Sequence, residues 1–287
     1  MSVAKAPVAT VTQAVEALVR KTVALSDDDM GREWKWGVYD EEGLRFALLM
    51  AHHELRDLAV RLAAAREREP AQAARILAQY HQAYRDLSGV LASVRTEDLD
   101  RAPRGRGPRV EGEWPVREVC KHMLGAEYGF LAVTRLGLER ALVRNASEPS
   151  DEEWNAFRAP IAVDRDKVTA SIATADIEGI RDAFAEIHIR VLRELRDIND
   201  DQIEAPAWFW DGAMPLRFRL HRFEEHLRQH TIQLDKTLLG IGRPPTEAHR
   251  LERNIYNALA DVEMERAAAD DLRATLARTI AERVAAL

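Results

Sequence analysis

The stretch that decides the reading is residues 220–239, LHRFEEHLRQHTIQLDKTLL. It sets His226 and His230 four residues apart, with Gln233 after them. On an α-helix a step of four returns to within about 40° of the starting direction, so both imidazoles leave one face. One helix can in this way offer two nitrogens to a metal ion. With His226 as reference, Arg222, His230, Gln233 and Thr237 all fall within about 40°. Leu216, Leu220, Phe223, Leu227, Leu234 and Leu238 occupy the adjoining arc. The polar stripe therefore borders the buried face, at the rim of a core or the floor of a cleft. His221 lies on roughly the opposite side and is set aside. The helix is expected from about Pro215 to Leu239, because Gly240 and Pro244-Pro245 form a stop signal.

Working outward, the chain has 287 residues, 46% hydrophobic and 31% charged. That is a soluble globular composition, long enough for one large or two modest domains. A net charge of −7 argues against a general nucleic-acid binder, which would present a basic face. Cys120 is the only cysteine, which rules out an intrachain disulfide and a Cys-rich zinc site. A reducing, cytoplasmic setting is expected. The opening MSVAKAPVATVTQ has no long apolar core and no cleavage pattern, so no signal peptide is expected. No apolar run approaches the ~20 residues needed to cross a bilayer.

The helix before the histidine pair is announced by Trp114-Pro115 and is expected to run to about Val143. His122 lies two turns into it, and Glu118 precedes His122 by four, on the same face. Gly125, Ala126 and Gly129 continue that face. Small residues there mean either close packing against another helix or open space for a ligand. Cys120 is about 160° away around the helix and is expected in the core. Ahead of this helix, EDLDRAPRGRGPRVEGEW carries Arg101, Arg104, Arg106 and Arg109 in a glycine- and proline-containing loop. These guanidinium groups either grip a carboxylate or phosphate bidentately or form a solvated basic loop.

Further helices are read at 10–25, 41–67, 71–94 and 177–198, each from an i, i+3/i+4 apolar stripe. The clearest is Ile76, Leu77, Tyr80, Tyr84, Leu87, Leu91 and Val94, with His81 beside it. His188 sits at the edge of the stripe Ile180, Phe184, Ile187, Val191 and Leu195. It is either a satisfied boundary histidine or a contact to a metal ligand or substrate. Residues 145–176, with Pro149, Pro160 and three acids at 151–153, read as irregular. The segment NDDQIEAPAWFWDGAMP reads as a loop whose Trp208, Phe209 and Trp210 either wall a pocket or fasten the loop down. The wall reading is preferred, because the loop feeds the helix with the histidine pair. Residues 246–287 are charged and helical, broken near 267–271. They either dock on the bundle or meet a second subunit.

Two histidines on one helix and a third on another form an open three-nitrogen site, the pattern of catalytic metal centres. A divalent ion there lowers the pKa of a bound water or polarises a ligand oxygen or sulfur. Gln233 or Glu118 are candidates to orient a ring nitrogen. The protease motif HExxH is absent, because Leu227 follows His226. There is no P-loop, nucleophile elbow or nucleotide-binding βαβ unit.

Trp114-Pro-Val-Arg-Glu-Val with His122, followed about a hundred residues later by HLRQHTIQ, resembles the DinB superfamily. That superfamily includes DinB/YfiT-like proteins and mycothiol- and bacillithiol-dependent enzymes. In it a tryptophan-led helix carries the first metal histidine, and a later helix carries an HxxxH pair, often followed by Arg-Gly-Gln. His122, His226 and His230 match the ligand positions and Gln233 the glutamine, while Thr231-Ile232 stands in place of Arg-Gly. The resemblance covers about residues 71–243. It implies an all-α fold, a DinB-like four-helix bundle over 71–243 with a divalent metal (zinc, nickel or iron). Residues 1–70 are then expected as an N-terminal helical extension packed on the bundle, and 244–287 as a C-terminal one. The expected function is a metal-dependent thiol S-transferase, isomerase or hydrolase acting on a small anionic molecule, with a low-molecular-weight thiol as co-substrate. Arg104 and Arg106 would hold the anion, and His188, Trp208 and Trp210 would contact substrate. Neither nucleic acid nor membrane is an expected partner. The alternatives are a non-catalytic metal-binding or interaction protein dimerising through its terminal helices, and histidines that are purely structural.

Overall fold

A computed structural model describes residues 10–34, 43–67, 69–103, 114–265 and 268–287. Among the described residues there are nine α-helices and one short hairpin. In order they are α1 (Val11–Thr22), α2 (Gly43–Ala64), α3 (Gln72–Ala92), α4 (Val116–Leu142), α5 (Asp151–Ile172), α6 (Ile177–Leu195), β1 (Pro206–Phe209), β2 (Gly212–Pro215), α7 (Leu216–Gly240), α8 (Glu247–Met264) and α9 (Asp270–Ala285). No helix is long and apolar enough to cross a membrane, among the described residues. The chain divides into two compact units. One holds residues 1–69, 88–93 and 244–287, and the other 70–87 and 94–243.

In the first unit α2 packs along α8 and α1 along α9. Leu18, Leu48, Leu55, Leu62, Ile255, Leu259 and Ile280 meet in its core. Ion pairs Arg45–Glu247, Arg56–Asp261 and Arg66–Glu265 follow the α2–α8 seam, so the two helices run in the same direction. Part-exposed pairs of this kind each add about 0–1 kcal/mol, so the buried apolar stripe does most to hold the seam. Helices α1 and α8 both start with a capping box. Thr10 pairs reciprocally with Gln13, and Thr246 with His249. Each satisfies two backbone donors that a helix start leaves open.

The second unit is built on α4, which packs against α5, α6 and α7. Val119, Met123, Leu131, Ile180, Ile187, Leu220, Phe223 and Leu227 are buried in it. Two expectations are corrected here. Residues 151–172 form α5 where irregular structure is expected. Ser150 caps it by accepting from the Glu153 amide, and Asp151, Glu152 and Glu153 match the positive helix end. Only Ile161 and Ile172 are buried along it, so there is no apolar stripe to read. The aromatic segment is a hairpin, not a loop, with Pro206 opposite Pro215 and Phe209 opposite Gly212. Trp210 and Asp211 turn the corner. Among the described residues Arg144 alone has positive φ outside glycine, and Gly212 takes φ 93°. That is a turn closed by a left-handed glycine. Ala207 from the hairpin packs with Val133 and Leu216.

Candidate metal centre

Two helices carry the cluster. The start of α4 is fixed from both sides. The Thr237 hydroxyl of α7 donates to the Trp114 carbonyl at 3.2 Å. Buried Arg117 donates to both Asp100 oxygens at 2.6 and 2.9 Å, and to the Ile172 and Ala175 carbonyls at 2.8 and 2.6 Å. The last two lie at the end of α5, where a cation suits the negative helix terminus. With α4 so placed and packed on α7, His122 faces the His226–His230 pair.

The three histidines each turn a ring nitrogen inward, and these atoms lie within 4.8 Å of one another. Nε2 of His226 and Nε2 of His122 are 3.2 Å apart. A tetrahedral ion with bonds of ~2.0–2.1 Å separates its nitrogen ligands by about 3.3 Å, which the His122–His226 pair matches. His230 Nδ1 donates to Gln233 Oε1 at 2.6 Å. That bond places the ring proton on Nδ1 and leaves Nε2 as the lone-pair nitrogen. Burial, then His230, His122 and Arg222, push His226 down to about 3, which keeps it in the neutral form that a metal needs. His226 and His230 are buried, whereas His122 is partly exposed. The cluster is therefore closed on the α7 side and accessible on the α4 side. Trp114 lies 5.3 Å from the His122 ring and Phe130 5.3 Å from the His226 ring, both measured between centroids.

The other expected site residues are placed as follows. Glu118 is exposed and pairs with Lys121 at 3.8 Å. His188 is buried apart from the three-histidine group. Its Nε2 meets His81 Nδ1 at 2.8 Å, and its ring stacks on Tyr84 at 3.8 Å. Burial, then His81 and Arg85, hold it well below the usual histidine range. The Trp208 indole donates to the Ala146 carbonyl at 3.2 Å. Trp210 is 84% exposed and lines a cleft with Phe130 and Arg222. Arg104, Arg106 and Arg109 lie outside the described residues, while Arg101 is held by Asp98 and by the Ile241 carbonyl. A Cβ on Gly129 would meet nothing within 4 Å, and one on Gly125 only Thr169 at 3.9 Å. At these two glycines, space and not close packing is what the missing side chain leaves.

Spacing alone does not single out Glu127. It is fully buried, accepts from the Tyr80 hydroxyl, and is pushed up to about 8 by its burial. Its other oxygen has no hydrogen-bond partner. Nor does it single out Phe130, which lies two turns beyond His122 on α4.

The fold and the cluster define an all-α bundle with three histidines gathered between two of its helices, a group that can hold a metal ion. The family model of the DinB superfamily matches residues 79–234, over half of the chain. The chain belongs to the DinB superfamily. No curated protein and no solved structure matches it.

Proposed function

We propose that His122, His226 and His230 hold one divalent ion (zinc, nickel or iron) and that the chain is a metal-dependent enzyme acting on a small anionic molecule. The reaction classes in view are thiol S-transfer, isomerisation and hydrolysis. The observation that carries this reading is the gathering of three ring nitrogens within 4.8 Å, with His122 partly exposed. Metal dependence is common in the superfamily. A bound divalent ion would supply Lewis acidity, favouring the deprotonated form of a water or thiol ligand.

The chain's own residues prepare that chemistry. Gln233 fixes the His230 tautomer, so its lone pair is ready without a proton transfer. Trp114 packs beside the His122 ring and Phe130 beside the His226 ring, so aromatic groups flank two of the three imidazoles. Cys120 takes no part as a nucleophile. It is fully buried, and burial pushes its thiol up to about 12. A thiol-dependent reaction therefore draws its sulfur from a low-molecular-weight co-substrate.

Elemental analysis of the full chain and of His226→Ala tests the ligand set. About one ion per chain is expected in the wild type and a clear loss in the variant. A wild type without metal, or a variant that retains it, sinks the site. Calorimetric titration with mycothiol, bacillithiol, coenzyme A and glutathione then tests thiol transfer. Absence of heat with all four excludes it.

A further inference from the structure

Beside the cluster lies a shallow, solvent-open cleft. Phe130, Phe209 and Trp210 form its apolar walls, and Asp211, Arg219 and Arg222 its charged ones. Aromatic walls select a flat apolar body, and a cation selects an anionic head.

The two arginines are not equivalent. Arg219 is 4% exposed and fully engaged. It donates to both Asp211 oxygens at 3.0 and 2.7 Å, to the Gly212 carbonyl at 2.8 Å and to the Ala207 carbonyl at 3.2 Å. Those bonds fasten the hairpin to α7, and they neutralise Asp211. Arg222 sits one turn further along. Its guanidinium lies 5.7 Å over the Phe130 ring, and it pairs at 3.1 Å with Glu225, whose side chain is 61% exposed. A surface pair three residues apart on one helix is worth little. A ligand anion can therefore take the place of Glu225.

Phe130 connects cleft and cluster. Arg222 covers its face, while the His226 ring meets it edge-on at 85°. Arg222 and His226 are four residues apart on one helix face, a rise of about 6 Å. A ligand whose head rests on Arg222 thus extends along Phe130 toward the histidines. With one displaceable guanidinium, and with Asp211 and Glu225 close by, the cleft suits a single negative charge better than a dianion. A carboxylate matches the guanidinium fork bidentately.

We infer that this cleft binds an aryl or otherwise planar unsaturated carboxylate, its body between Phe130 and Trp210 and its carboxylate on Arg222. The inference deepens the proposed function, on which it rests for the ligand's role as substrate. Binding in the cleft does not itself require the ion.

The test is calorimetric titration of the full chain with benzoate, acetate, benzyl alcohol and phenyl phosphate, with metal content measured on the same samples. Benzoate should bind at least tenfold more tightly than each of the other three. Arg222→Gln should weaken benzoate at least tenfold and leave the thermal midpoint and metal content unchanged. Trp210→Ala should weaken benzoate and spare acetate. Benzoate should also quench the Trp210 emission, judged against Trp210→Phe. No benzoate binding, equal affinity for acetate, tighter phenyl phosphate, or an unaffected Arg222→Gln overturns the inference. Metal-free protein that still binds benzoate through Arg222 supports the cleft while refuting the metal reading, so the two failures are distinguishable.

Discussion

Two glycines eight residues apart on α4 should respond in opposite ways to the same substitution. At Gly129 an added Cβ meets nothing within 4 Å. The residue lies mid-helix with ordinary backbone angles, since the positive-φ glycines are Gly43, Gly212 and Gly242. Gly129→Ala should therefore gain the full helix-interior difference between the residues, about 0.5–1 kcal/mol. At Gly137 the same atom would lie 2.7 Å from the Ala207 Cβ and 3.1 Å from a Leu216 methyl. The Ala207 Cβ hangs directly on the hairpin backbone and cannot swing aside. Overpacking of this kind costs about 1–3 kcal/mol, which outweighs the helix gain. Gly137→Ala should thus be less stable than wild type by on the order of 1 kcal/mol. The assay is urea unfolding followed by far-ultraviolet circular dichroism, with the midpoints compared at equal slope. A lower midpoint for Gly129→Ala, or a shift of both variants in the same direction, would refute the packing of α4 described above. The outcome also bears on function, because a stabilising alanine at Gly129 means the glycine is kept for space rather than for the fold.

Three further outcomes are expected. Burial raises Glu127 from 4.5 to about 8 in the folded chain, so between those pH values the unfolded chain binds fewer protons and stability falls as pH rises. Glu127→Gln removes that share, and its stability relative to wild type should climb between pH 5 and pH 8 in urea titrations; a pH-independent difference contradicts the assignment. The Thr22 hydroxyl lies 2.5 Å from a Glu252 carboxyl oxygen and 3.1 Å from the Leu18 carbonyl, two contacts for one hydroxyl proton. Glu252, fully buried and raised to about 8 by that burial, supplies the second proton when it is neutral. Thr22→Val should cost about 1–3 kcal/mol, and adding Glu252→Leu should recover part of it, because both polar groups then leave together. A double variant no more stable than the single would show that the pair is not coupled. Gln233→Ala should weaken divalent-ion affinity ~10–100-fold in competition with a chromogenic chelator, as loss of a ligand's hydrogen-bond partner does; unchanged affinity would remove Gln233 from the site.

Much of the helical architecture is legible in the sequence because each long helix buries a stripe. The stripe Ile76 to Val94 becomes α3, and the apolar arc from Leu216 to Leu238 becomes the buried side of α7. Helix geometry also puts His226 and His230 on one face. It does not say which helix supplies the third nitrogen. That came from the Trp-Pro opening before His122 and its likeness to a family pattern. Where the stripe is missing, the reading fails. Helix α5 buries only Ile161 and Ile172, and it contains Pro160, so a pattern search finds nothing helical there. The hairpin carries no readable pattern for a related reason. Its strands are four residues each and bounded by prolines, too short for alternation to emerge, and they pack by tertiary contact with Gly137 and Leu216.

What no spacing rule supplies is the difference between two residues of the same type. His188 and His226 both lie at the edge of an apolar helix stripe, and both are buried and held neutral. One faces His81 and stacks on Tyr84, and the other faces two more imidazoles. Arg219 and Arg222 are three residues apart on one helix and line the same cleft. Arg219 is engaged by Asp211 and two carbonyls, whereas Arg222 has a partner that solvent can replace. In each pair the helix decides direction, and the neighbours decide whether the side chain's capacity is used up. A ligand binds where that capacity remains. For Arg219 the deciding neighbours come from Ala207 to Gly212 of the hairpin. Changing a few hairpin residues would therefore alter how far Arg219 is engaged without touching His122, His226 or His230.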